Sequence, residues 1–479
     1  MVLPKKFPRV FFCLLLAVLY LLPLYLPSYT AHDVQRWSQH ILLLFVLLVL
    51  GLSMPQAQLG TKNLSLLVVI CLLAVASVYF APASPEYLLL TLLLLGAVLY
   101  SRAQVSKRYI DAAVVVLAAV QAMMALSSVV GSIITSEPLH LLDLSLVYSN
   151  YRFLSHTQTV WVPLCFAVLC LYNIERRMLL ALGGLIVFHW VLIFQLGARA
   201  SIVGLFTAAL LVLLVFGMRA WPLVRRFFML AALGLVLKLL VFDVLFVALG
   251  TPVEDASLAA KLQQIDQPRL QLWHRAWVGI KRSPLLGNGA SSFASREQLQ
   301  LDIATEPTLA PVGAYGAHPH NFYLQLAYEF GLPLTLLFLG AVILLLWRMR
   351  AVLQLQKTGS SYQVGLCLWL GLLAVGVDAL FSGNFVMPVA QCWIAALFGL
   401  SLKWCYENGT KPASYTTAKV GNFWGFRRFF LLLMLGFLMI LQGALLWRDL
   451  PELKANFDQQ EKAFTTGIRN PRFWSYGWH

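Results

Sequence analysis

The chain has 479 residues, of which 60% are hydrophobic and only 11% charged, and its mean hydropathy is +0.77. No soluble domain of this length carries so much apolar chain, so the composition excludes a globular cytosolic enzyme and gives an all-α polytopic membrane protein. The net charge is +15, but the basic residues are spread between apolar runs with no long basic tail, which reads as membrane topology and sets nucleic acid aside.

Runs long enough to span a bilayer fall at about 10–27, 39–54, 63–81, 85–100, 110–134, 158–174, 178–197, 200–218, 227–250, 321–347, 363–383, 386–404 and 429–447, about 12–13 transmembrane helices in all. Before the first, Lys5, Lys6 and Arg9 resemble the start of a signal peptide. No small-x-small cleavage site follows and the next run comes within about fifteen residues, so the segment is expected to remain as a first helix. The seven cysteines (Cys13, Cys71, Cys165, Cys170, Cys367, Cys392, Cys405) lie in apolar runs or near basic connections, without metal-ligand spacing among the thiols. Neither disulfides nor a zinc site is expected.

Every second connection is basic. The set is Lys5/Lys6/Arg9, Lys62, Arg102/Lys107/Arg108, Arg176/Arg177, Arg219/Arg225/Arg226, Arg348/Arg350/Lys357 and Lys403/Lys411/Lys419/Arg427/Arg428. The positive-inside rule makes these cytoplasmic. The connection 135–157, the Gly197–Ser201 turn, the loop 251–320, the 384–386 turn and the tail after Trp447 are then expected outside. Long loops are exempt from the charge rule, so basic residues in 251–320 do not oppose this.

That loop is the main interruption in the apolar pattern. Leu270 to Ile280 has apolar residues at helical spacing with aromatic weight, which predicts an amphipathic helix at the interface. Ser283 to Gly289 then predicts a turn. The loop ends in His318-Pro319-His320-Asn321, directly before the next apolar run. Imidazole is the side chain best able to move a proton at neutral pH, so His320 and His318 are candidate catalytic bases. Their plain alternatives are solvent-exposed histidines or a His-x-His metal site, the latter lacking a close carboxylate or thiol.

Two arginines are candidates for binding an anion. Arg199 sits between two apolar runs on the expected outer side, where the charge rule gives no reason for it, although it could simply mark a tight turn. Arg269 opens the loop helix, and its planar fork suits phosphate, while an ordinary solvated arginine is the competing reading. Arg275, Lys281 and Arg282 read as headgroup contacts or solvated charge. Lys238 with Asp243, His189 with Gln195, and Asp378 are intramembrane polar groups. Lys238 and Asp243, five apart, could approach across a turn or snorkel. The simpler reading of these groups is interhelical pairing, and the alternative is the ion path of a lipid or solute transporter.

Three stretches in order, Pro268-Arg269-Leu270-Gln271-Leu272-Trp273, Pro284-Leu285-Leu286-Gly287-Asn288-Gly289 and His320-Asn321 to Glu329-Phe330-Gly331-Leu332, resemble the core of the O-antigen ligase superfamily. Arg199 occupies the position of that superfamily's first outer arginine. The resemblance covers about 185–345 and implies a GT-C-like fold with a large periplasmic loop. It divides the chain into N-terminal helices at 1–184, a ligase core at 185–345 that includes the loop 251–320, C-terminal helices at 346–447, and a periplasmic tail at 448–479.

The function it implies is that of a bacterial inner-membrane glycosyltransferase. Such an enzyme moves a preassembled glycan from undecaprenyl pyrophosphate to an acceptor hydroxyl in the periplasm. Arg199 and Arg269 would hold the pyrophosphate, His320 would take the proton from the acceptor or orient it, and His318 would be an alternate base. No cofactor is implied, and no Asp-x-Asp motif stands on the outer side, so the reaction is expected to be metal-independent. The stretches Asn150 to Thr159 and Ser382 to Pro388 look more like the pilin-modifying oligosaccharyltransferases. A pilin is thus the first acceptor, with lipid A-core or a growing glycan as alternatives.

Overall fold

A computed structural model describes residues 9–26, 31–53, 85–171, 175–253, 267–289, 291–309, 318–356, 358–409 and parts of 433–444. Within these the chain is helical, and nine helices are long and apolar enough to cross a membrane. The bundle consists of α1 (Arg9–Leu21), α2 (Ala31–Leu52), α3 (Pro85–Arg102), α4 (Arg108–Thr135), α5 (Tyr151–Leu171), α6 (Arg176–Gln195) and α7 (Arg199–Phe216). It continues with α8, which runs Trp221–Lys238, then as a π-helical segment Leu239–Leu245, then through a last turn Phe246–Ala248. Two loop helices follow, α9 (Gln267–Arg282) and α10 (Arg296–Thr305), and then α11 (Phe322–Leu355), α12 (Ser360–Asp378) and α13 (Pro388–Asn408). The protein is an all-α polytopic membrane protein.

Each expected run falls on one of these helices except two. The run at 63–81 lies outside the described residues, and that at 429–447 is described only at scattered helical positions between 433 and 444. Two helices begin well before their apolar runs. α2 starts at Ala31 and α5 at Tyr151, and their first turns carry His32, Asp33, Gln35 and Arg36, or Ser155 and His156. Hydropathy misses such turns because it assumes lipid around them; here most of these side chains are buried against other helices.

α12 lies at the centre, packed along α5 and α7, with α13 and α11 beside it. Alternating direction gathers one set of connections at one end. Contacts there tie Leu139 to Pro252, Ser201 to Ser155, Phe322 to Ala379 and Arg36 to Val386. The opposite end carries the basic connections, where Lys403 Nζ donates to Ala103 and Val105 carbonyls and Arg102 lies over the Tyr406 ring.

The loop helix α9 forms as expected and adds a contact that the sequence does not announce. Its Leu272, Ala276 and Ile280 pack with Phe293 of the loop and with Ala327 and Tyr328 at the start of α11. The opposite face leaves Leu270 and Trp277 exposed.

Candidate active site

The site is built around the start of α11. Asn321 is extended, and its Oδ1 accepts from Leu324 N at 3.0 Å, which caps the helix. The asparagine of the His-Asn pair is therefore a helix cap, and His320 stands one residue before it. His320 has φ 52°, the left-handed region that side chains other than glycine enter at a cost. Its amide donates to His318 Nδ1 at 3.1 Å, and the two rings meet edge to face with centroids 4.2 Å apart. The bond occupies the Nδ1 lone pair, so neutral His318 carries its proton on Nε2. His318 is buried and His320 half-buried.

Two elements hold this turn. From α9, Trp273 Nε1 donates to the Pro319 carbonyl at 2.9 Å. From the connection after α12, Ala379 O accepts from Phe322 N at 2.9 Å, and Phe385 stacks on Phe322 at 4.2 Å. In the same connection Gly383 is the seat of the His318 ring; a Cβ there would lie 2.6 Å from Cε1. Glycine is needed by close approach at that position.

Both predicted arginines stand at this end of the bundle. Arg269 is half-buried one helical turn before Trp273, on the side of α9 that is bonded to the histidine turn. Arg199 is half-buried as the first residue of α7. Two residues on, Ser201 Oγ donates to Ser155 O at 3.1 Å, and Gly204 lies against Ala374 and Asp378. The structure thus brings His318 and His320 into contact, joins the helix of Arg269 to their turn, and connects that of Arg199 through α5 and α12.

Other sequence readings change. Arg275 is neither solvated nor at a headgroup. It is buried, its Nε donates to Asp302 Oδ2 at 2.8 Å, and its guanidinium lies 4.3 Å from the Phe293 ring centroid. Arg282 approaches Asp302 Oδ1 at 3.0 Å, and Tyr328 OH donates to Oδ2 at 2.6 Å. Loop charge looked solvated because its partner, Asp302, sits on a different helix 27 residues away.

His189 bonds to Gln158 and the Ala118 carbonyl, both at 3.1 Å. Lys238 and Asp243 close on each other at 2.6 Å across a turn of α8, the approach their spacing allowed, and not between helices, because that five-residue spacing matches the π-helical turn.

Two polar groups at the site end were not given a role there by the sequence. Arg36, fully buried, donates to Gln391 Oε1 at 2.6 Å and Val386 O at 2.7 Å, and so fixes the connection that seats His318. Asp378, also fully buried, gathers His156, Thr159 and Asn384. A charged residue just ahead of a span, as at Arg36, was the available signal.

The loop motifs explain one another. Asn288 N donates to Tyr328 O, Gly289 N to Glu329 O and Leu332 N to Pro284 O. Gly287 at φ 71° and Gly331 at φ 81° let the two backbones touch, with no room for a Cβ on either. Residues 184–339, which include both halves of this lock and the histidine turn, match the family model described as O-antigen ligase. The chain carries an O-antigen ligase domain. No curated protein is significantly similar to the chain. The O-antigen ligase domain spans the second half of α6, α7 to α10 and the first half of α11. It therefore contains Arg199, Arg269, His318 and His320, whereas Arg36, His156 and Asp378 are contributed from outside it.

Proposed function

We propose that the protein is an inner-membrane glycosyltransferase that moves a preassembled glycan from undecaprenyl pyrophosphate to an acceptor hydroxyl on the periplasmic side, with a pilin as the acceptor. One observation carries this reading. Two imidazoles in contact stand at the start of α11, inside an O-antigen ligase domain whose loop helix and α7 bring Arg269 and Arg199 to the same end. The leaving group is a lipid pyrophosphate, so negative charge grows on its oxygens as the anomeric bond breaks. Preorganised guanidinium groups stabilise that charge. His320 takes the acceptor proton or orients the hydroxyl, with His318 as an alternate base; general-base help is worth about 10²–10⁴-fold.

The pilin acceptor rests on the two stretches that look like the pilin-modifying branch. They pack against each other beside the histidines: Phe153 lies on Val386, Met387 and Ala390, and Thr159 and Asn384 share Asp378. An acceptor surface made from both would differ between branches that share the donor. The transport alternative loses its main pair, because Lys238 and Asp243 close on each other on the outside of α8.

The test is glycan transfer in a deletion strain complemented with wild type or His320→Asn at matched membrane levels. Asparagine tolerates the left-handed backbone at this position but lacks a basic ring nitrogen. Pilin mass and lipopolysaccharide ladders are read side by side. Wild type is expected to restore the glycosylated pilin, and His320→Asn to lose it. Restoration of the lipopolysaccharide ladder instead moves the acceptor to lipid A-core; an unchanged product in both assays sinks the transferase reading.

A further inference from the structure

We infer that His156, backed by Asp378, is the imidazole that receives the acceptor proton, leaving His320 to orient the reacting groups. This rests on the glycosyl-transfer reading above and assigns a residue outside the O-antigen ligase domain to its chemistry.

Asp378 is the last residue of α12 and is fully buried. Its Oδ2 lies 3.6 Å from His156 Nδ1 and accepts from Thr159 Oγ1 and Asn384 Nδ2, both at 3.3 Å. Its Oδ1, His156 Nδ1 and Asn384 Oδ1 are all buried without a hydrogen-bond partner. A buried carboxylate with half its capacity unused is costly, and a cluster serving packing alone would be expected to satisfy it. The long Asp378–His156 distance fits a pair that tightens when substrate arrives, as catalytic hydrogen bonds commonly do.

The orientation of the ring matters most. His156 is 12% exposed, and its Nδ1 is the buried nitrogen facing the carboxylate. Nε2 is then the nitrogen available for chemistry. A carboxylate on Nδ1 with Nε2 open is the arrangement by which a buried aspartate fixes the tautomer of a catalytic histidine and balances the imidazolium that forms. The two-histidine turn lacks that role for His318, whose Nδ1 accepts from the His320 amide.

Position agrees with this. Ser155, the residue before His156, accepts from Ser201 in the first turn of α7, which begins at Arg199. Asn384, bonded to Asp378, follows Gly383, the seat of the His318 ring. His156 thus stands between the start of Arg199's helix and the histidine turn.

The step balances without a further reactant. The acceptor oxygen bonds to the anomeric carbon as its proton passes to His156 Nε2. The bond from anomeric carbon to phosphate oxygen breaks, and its electron pair leaves on the lipid pyrophosphate. Asp378 holds Nδ1–H throughout, and the proton on Nε2 is later lost to water.

The experiment uses membranes containing the full chain, supplied with undecaprenyl-pyrophosphate-linked glycan and with pilin and lipid A-core together. His156→Gln, which keeps a polar group toward Asp378, is expected to lower kcat by about 10²–10⁴-fold with little change in KM for the donor. His156→Gly is expected to recover part of its rate when free imidazole is added, which loss of packing alone would not produce. A near wild-type rate in His156→Gln overturns the proposal even if His156→Gly does not fold. So does a folded His156→Gly whose loss imidazole leaves untouched. If wild type transfers glycan to neither acceptor, the transferase reading itself falls; wild-type transfer with either of the other failures removes His156 alone.

Discussion

At Asn321 one side chain sets both a helix start and the position of the imidazole before it. Its Oδ1 replaces the carbonyl that Leu324 N would otherwise lack, so α11 begins at Phe322 and His320 is held in its left-handed turn. Serine caps a helix nearly as well as asparagine, and alanine does not. Asn321→Ser is therefore expected to keep transfer within a few-fold of wild type. Asn321→Ala is expected to cost about 1 kcal/mol of stability and to lower transfer further than that cost alone explains, because His320 loses its fixed turn. Product formation and thermal melting in detergent, measured on the same preparations, check this. If serine is as damaging as alanine, the amide has a role beyond the cap.

Between elements, the loop is an independent packing problem solved by α9, α10 and the start of α11. Arg275 and Asp302 are 1% and 0% exposed and pair at 2.8 Å, with Arg282 also 3.0 Å from Asp302. Removing one partner of such a pair leaves a buried uncompensated charge, at about 3–5 kcal/mol. Asp302→Ala is expected to destabilise the loop by that order and to raise proteolysis of the 251–320 segment, while the bundle still inserts. Limited proteolysis in membranes measures it; cleavage like wild type would show that the pair contributes no net stability. The sequence made the bundle legible because apolar runs are long and local. In it the candidates His320, His318 and Arg199 stand out as charged or titratable groups at run boundaries, and Arg269 as a guanidinium opening the loop helix. It did not show Arg275–Asp302, or Arg36 with Gln391 and Val386. Those pairs join helices far apart in the chain, and nothing in the spacing of either partner marks the other. The starts of α2 and α5 were hidden for a related reason: their polar turns are surrounded by protein, so hydropathy judged them against the wrong solvent.

Across the whole molecule, charge and chemistry are separated to opposite ends. The connections bearing Arg102, Lys107, Arg108, Arg176, Arg177, Arg219, Arg225 and Arg226 lie at one end, and the histidine turn, Arg199, Arg269 and Asp378 lie at the other. By the charge rule the first end is expected to be cytoplasmic, and the proposed site would then face a compartment without ATP, where a donor must already hold its energy in the pyrophosphate link. Two exposed positions test this orientation, Ser106 in the connection before α4 and Leu301 in α10. With the seven native cysteines replaced, Leu301→Cys is expected to react with a membrane-impermeant maleimide in intact spheroplasts. Ser106→Cys is expected to react only after permeabilisation. The reverse pattern would put the histidines on the cytoplasmic side, where a glycan still awaiting translocation would be the only lipid-linked donor within reach, and neither pilin nor lipopolysaccharide acceptors on the far face could be served.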